Sequence, residues 1–188
     1  MEKGHTFTRS LSEILERHKV VSKDEVIAME KAFENSEKAQ FDEFLLDEGL
    51  VDENDLLKAL AEHYQVPSFD VVGYFFDHNL LMKFPKGFLL REAVAPVEIE
   101  ENILSVVASD PSKEGLESRI REFVSYDIVF MVGLKRDICD AVKEFYDRSP
   151  SEVDEDQDLR EERQLESEAE IIEDSGEPII KDIDGQDL

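Results

Sequence analysis

The chain has 188 residues, 41% of them hydrophobic, with 47 acidic against 21 basic residues and a formal net charge of −26. That balance excludes a nucleic-acid binder, which draws its affinity from lysines and arginines that release counterions, and it disfavours anionic membrane surfaces by the same sign argument. No apolar run reaches the roughly 18 residues that cross a bilayer, no charged-then-apolar leader opens the chain, and the single cysteine, Cys139, has no intrachain partner. The expectation is a cytoplasmic protein with a real core and no direct membrane insertion.

The first half carries an internal repeat at a spacing of 30 residues: Leu11, Ile14, Leu15, Val20, Val21, Val26 and Ile27 recur as Phe41, Phe44, Leu45, Leu50, Val51, Leu56 and Leu57. Each unit reads as an amphipathic helix, a tight connection and a second amphipathic helix. Ser22 with Glu25 forms the first connection's capping box, and Asp52 takes the capping place in the second. Gly49 suits the left-handed residue that closes a helix. Neither unit buries its apolar stripe alone, so the two hairpins are expected to pack on each other.

The second helix of the second unit is predicted to stop by Val66-Pro67. An extended piece follows over Ser68 to Val72, then Tyr74-Phe75-Phe76, then a short helix and turn between Leu80 and Leu90. From Arg91 the period changes to two. Strands are predicted around Ala93–Ile99 and Ile103–Ala108, joined by a turn at Glu100-Glu101-Asn102. A helix is expected from Asp110 to about Phe123, a third strand over Tyr126–Val132 and a closing helix over Lys135–Tyr146. Tyr74, Phe75, Phe76, Phe84 and Phe88 read as a core between the two parts, with an exposed partner patch as the alternative. Cys139 reads as a buried core thiol in the closing helix. The fold class is therefore α+β: a helical tandem-repeat subdomain over 8–66, a connecting segment over 67–90, a small β-β-α-β-α subdomain over 91–148, and an acidic tail or linker over 149–188. From Pro150 onward 16 acidic and 3 basic residues give a net charge of −13, a composition expected to stay disordered.

None of the eight glycines builds a phosphate-cradling loop ending in lysine and serine or threonine. His5, His18, His63 and His78 are scattered without a second ligand at helical spacing, so no metal and no cofactor is expected. The scattered carboxylates specify no acid/base pair, and no catalytic residue is assigned.

The repeat, the strand with Pro96, the segment Val106-Val107-Ala108-Ser109-Asp110-Pro111 and the closing strand and helix come in a familiar order. Over about residues 8–148 they resemble the N-terminal domain of type II secretion and type IV pilus assembly ATPases, without the ATPase domain. Glu177-Pro178-Ile179-Ile180-Lys181 resembles the segment that leads on to the ATPase in that family. The resemblance implies a non-catalytic interaction or regulatory module that docks a protein partner of the secretion or pilus machinery at the inner-membrane platform. It implies a cytoplasmic location, peripheral at the membrane through that partner. Part of the family binds cyclic di-GMP through tandem half-motifs, so a cyclic di-GMP sensor with a degenerate or divergent site is the alternative. At the motif's arginine, first glycine, second glycine and glutamine places this chain has Ser10, Ser12, Lys19 and Phe33, then Gln40, Asp42, Gly49 and His63. The apolar places persist, except that Glu30 stands where the second unit has Leu60. By resemblance the candidate ligand or partner surface comprises Leu11, Leu15, Phe41, Leu45, Gly49 and Leu50.

Overall fold

A computed structural model describes residues 2–147; the acidic segment from 149 lies outside the described residues. Four helices come first: α1 (Glu2–Arg17), α2 (Lys23–Glu34), α3 (Phe41–Asp47) and α4 (Glu53–Tyr64). The Ser22 hydroxyl accepts from the Glu25 amide while the Glu25 carboxylate accepts from the Ser22 amide, which is the predicted capping box. The Asp52 carboxylate accepts from the Asn54 amide at the start of α4. The repeat is visible in the backbone hydrogen bonds. At the end of α1, Val20 N donates to Leu15 O at 3.0 Å; thirty residues on, Leu50 N donates to Leu45 O at 2.9 Å. Such six-to-one bonds close helices around a left-handed residue. That residue is Gly49 (φ +63°) in the second unit and Lys19 (φ +59°) in the first.

The two hairpins bury one another's stripes, as expected. Leu11, Leu15, Phe41, Leu45, Leu56 and Leu60 are 0–1% exposed and form one hydrophobic cluster, with α1 lying along α4.

The left-handed Gln65 (φ +56°) ends α4, and the chain turns extended. Phe69 N donates to Val132 O and Val132 N to Pro67 O, both at 2.8 Å. The stretch from 78 to 92 forms two short helices, α5 (His78–Leu81), capped by Asp77, and α6 (Lys86–Glu92), opened by Pro85.

Strands β1 (Val94–Glu100), β2 (Ile103–Ala108) and β3 (Asp127–Val132) form a sheet in that order, with β1–β2 antiparallel and β2–β3 parallel. Helix α7 (Leu116–Ile120) supplies part of the crossover to β3, and α8 (Lys135–Asp147) closes the described chain and packs on β1 and β2. The fold is α+β.

Two expectations need correction. The helix predicted from Asp110 to Phe123 is only Leu116–Ile120. Asp110 spends its carboxylate on the Ser112 amide (3.0 Å) and hydroxyl (2.7 Å), which makes a turn, and Gly115 at φ +71° breaks helical geometry just before α7. The aromatic residues do not form a core between the parts. Phe84 and Phe88 are buried inside the sheet-containing cluster, and Phe123, Tyr74 and Phe76 are partly buried and pack against it. The residues that reach the helical cluster from the sheet are Val132 and Leu134. Cys139, expected as a buried core thiol, is only half-buried, and burial pushes its thiol pKa up, which favours the protonated form.

Candidate functional site

The helical repeat and the loop after β2 enclose a groove of about 730 Å³. Its lining includes Phe33, Gln40 and His63, three of the eight places at which the half-motif was compared. A fourth, Ser10, joins them through its hydroxyl, 2.8 Å from His63 Nδ1. Residues from both units therefore meet at this groove, while Ser12, Lys19, Asp42 and Gly49 are not part of its lining.

The groove is aromatic. Phe7 stands edge-on to His63 at 5.0 Å between ring centroids, His63 edge-on to Tyr64 at 4.7 Å, and Phe33 edge-on to Phe41 at 5.2 Å. Burial lowers the His63 pKa, with Asp110 opposing, so the ring is neutral near pH 7. Burial and the nearby Asp110 both hold the Tyr64 hydroxyl in its protonated form.

Charge in the groove is already committed. Lys113 is the cation of its lining, and its ammonium lies 2.8 Å from Glu92. Glu92 is 8% exposed and also takes Arg119 at 3.1 Å and Arg91 at 3.3 Å. The Lys113 hydrogen bond comes first among the interactions that hold the Glu92 carboxyl below its usual range. This cluster ties α6 to α7 and fixes the Asp110–Lys113 loop as one wall. At the neighbouring first-glycine place of the second unit, Asp42 is a partly buried carboxyl whose pKa burial raises. An anionic ligand in the groove would meet Asp110 and Glu114 with Lys113 neutralised. Aromatic stacking and hydrogen bonding to neutral donors are what the groove offers.

The residues assigned from sequence by resemblance divide by burial. Leu11, Leu15, Phe41 and Leu45 are at most 1% exposed and form the packing beneath the surface, Phe41 also lining the groove. Gly49 and Leu50 are exposed at the turn after α3. Sequence reasoning did not find Phe7, Tyr64 or the Asp110–Lys113 wall. Tyr64 carried a signal as the residue beside His63 at the end of α4; Phe7 and the loop become neighbours only through tertiary packing.

A tandem helical-hairpin module joined to a small mixed sheet, with a groove between the repeat and the loop after β2, defines the class. Residues 74–152 match the MshEN domain. Among solved structures, one titled "Structure of MshE with cdg" is 20% identical, covers 72% of this chain and 98% of its own, and superposes with a TM-score of 0.59. The N-terminal domain of XpsE is 19% identical, covers 72% of this chain and 92% of its own, and has a TM-score of 0.53. At these identities the likeness is one of fold. No curated protein matches the chain in sequence. The resemblance to the N-terminal domain of the type II secretion and type IV pilus assembly ATPases, drawn from the repeat and the strand order, holds.

Proposed function

We propose that the chain is a non-catalytic, cytoplasmic interaction module of a type II secretion or type IV pilus assembly system, which docks a protein partner at the inner-membrane platform. The observation that carries this reading is the retained MshEN architecture around a groove whose one lining lysine is already neutralised. The helical frame persists while the nucleotide-facing groups of the half-motifs are replaced, which favours a scaffold kept for protein contact. Among the described residues no helix is long and apolar enough to cross a membrane, so attachment at the platform runs through the partner. The described fold and the sequence supply no phosphate-cradling loop for ATP chemistry.

The second reading, a cyclic di-GMP sensor, is favoured by one observation: the MshE structure that shares this fold was solved with cdg. Against it stand Ser10 and Gln40 in place of two arginines, and Asp42 in place of a glycine. Each lost charge-assisted hydrogen bond costs roughly 1.5–3 kcal/mol. Two such losses weaken a micromolar site by a factor on the order of 10²–10⁴.

Two measurements test the proposal. The full chain is expected to co-elute with the cytoplasmic domain of the platform subunit from its own secretion or pilus system; separate elution at concentrations of tens of micromolar would overturn the docking reading. Calorimetric titration with cyclic di-GMP at low salt is expected to give no saturable heat. A dissociation constant below about 10 μM would promote the sensor reading instead.

A further inference from the structure

Helices α1 and α2 face each other across a second groove, of about 790 Å³. Each wall is a helical stripe: Ser12, Glu13 and Glu16 from α1, and Glu30, Phe33 and Glu34 from α2. The second hairpin provides the comparison. Thirty residues on from Glu16 and Glu30 stand Leu46 and Leu60. Leu60 is 1% exposed, and Leu46 packs against the same helical cluster. Where the second unit fills these two places with leucine, the first unit fills them with glutamate, and a groove stays open.

The two cations of the lining, Arg9 and Lys38, are already paired, and three of its four carboxylates are not. Arg9 is held by Glu13 at 3.0 Å and Lys38 by Asp47. Among the described residues no cation pairs with Glu16, Glu30 or Glu34. Ser12 is 1% exposed, and its hydroxyl has no hydrogen-bond partner. A helical serine ordinarily returns its hydroxyl to a carbonyl one turn back or leaves it in water; here it is buried and unpaired in the lining of an acidic groove. A free acceptor, three uncompensated carboxylates and the apolar sides of Val26 and Phe33 together match one chemistry: an ammonium on an aliphatic stem.

We propose that the α1–α2 groove binds a lysine side chain carried by a basic segment of the protein partner. This rests on the docking reading and adds the partner's chemistry and the surface it meets.

The test uses the full chain and, as probe, a synthetic amphipathic peptide of lysine, leucine and alanine, about 15 residues long. Binding is read by calorimetry at about 0.15 M salt, where exposed charges are screened beyond roughly 8 Å. Saturable binding with a dissociation constant of tens of micromolar is expected. The pair Glu30→Gln with Glu34→Gln should weaken it about tenfold or more, and Ser12→Ala about threefold to tenfold. The pair Glu98→Gln with Glu100→Gln, which removes the same charge from β1, should change it less than about twofold. Glu30→Leu, which copies the second unit, should abolish binding while leaving the melting temperature unchanged or raised. Absence of saturable binding overturns the proposal. So does equal weakening by the groove pair and the β1 pair, which is simple attraction between a cation and a polyanion. Failure of the platform subunit to co-elute overturns the docking reading and leaves the peptide result standing, so the two failures are distinguishable.

Discussion

Lys19 holds φ +59° at the place that Gly49 fills with φ +63° in the second hairpin, and both close a helix with the same hydrogen bonds. A β-carbon in the left-handed region costs roughly 1–2 kcal/mol, partly offset by glycine's extra freedom when unfolded. Lys19→Gly should therefore raise stability by about 0.5–1 kcal/mol in urea melts; a loss of stability would show that the Lys19 side chain contributes more than its backbone costs. His63 gives a prediction in pH. Burial holds its folded pKa below the ordinary imidazole value near 6.5. Between those two values the unfolded chain binds more protons, so stability from His63 is full above about pH 6.5, falls as pH drops through the window, and stays flat below the folded pKa. Imidazole resonances of His63 in the native chain should titrate at a lower midpoint than in the denatured chain, and His63→Phe should remove that part of the pH slope. A native midpoint at or above the denatured one would contradict the placement of the ring.

At the scale of elements, the packing of the two hairpins makes the strongest claim. Leu45 and Leu56 are both 0% exposed in the cluster the units share. Truncating either to alanine should cost about 2–5 kcal/mol; a loss under about 0.5 kcal/mol for both in urea melts would mean that the hairpins do not rely on each other. These helices were legible in the sequence because their signals are local: caps at Ser22 and Asp52, apolar stripes at helical spacing, and a thirty-residue echo of both. The strands were legible through the change to a two-residue period after Arg91. The crossover helix was overestimated because a turn at Asp110 and a left-handed Gly115 look, in sequence, like an N-terminal cap and a tolerated glycine. The aromatic residues from Tyr74 to Phe88 were assigned to the wrong neighbours, since the partners of Phe84 and Phe88 (Phe123) and of Tyr74 (Phe69) are identified only by packing. The candidate site was legible in part. The substitutions at Ser10, Gln40 and His63 stood in the repeat, but the Ser10–His63 contact joins residues 53 apart in sequence, and no local pattern encodes it. Glu30 was visible as a failed apolar place; that it opens a groove depends on what Glu16 and Ser12 do across from it.

For residues 2–147 as a whole, the sheet and the helical repeat are joined by a small set of residues at the end of β3. Val132 and Leu134 belong to the helical cluster, while Val106 and Val107, from the adjacent strand, belong to the sheet-containing one. Lys135 pairs with Glu43 at 2.6 Å and Arg136 pairs with Glu53, so the start of α8 reaches both helices of the second hairpin. Gly133 sits at the centre of this junction. A β-carbon there would lie 2.7 Å from Val107 Cγ2, 3.1 Å from Ile138 Cδ1 and 3.2 Å from the backbone oxygen of Phe69. The first distance is shorter than real β-carbons tolerate, and the third is to a backbone oxygen, which cannot swing aside as the end of a side chain can. Relief requires β2, α8 and the extended piece after α4 to move apart together. Overpacking of this kind typically costs about 1–3 kcal/mol, so Gly133→Ala should lower stability by that amount. Because Val132 and Leu134, at the end of β3, pack into the helical cluster while β3 is paired to β2, the wild-type chain should unfold in a single transition. Far-ultraviolet circular dichroism, dominated by the helices, and near-ultraviolet signals of Tyr74, Tyr126 and Tyr146 around the sheet should share one midpoint. In Gly133→Ala the two probes should shift down together, or separate if the junction has loosened enough for the parts to melt singly. Separate midpoints in the wild type, or a neutral Gly133→Ala, would show that the two clusters are not coupled through the end of β3.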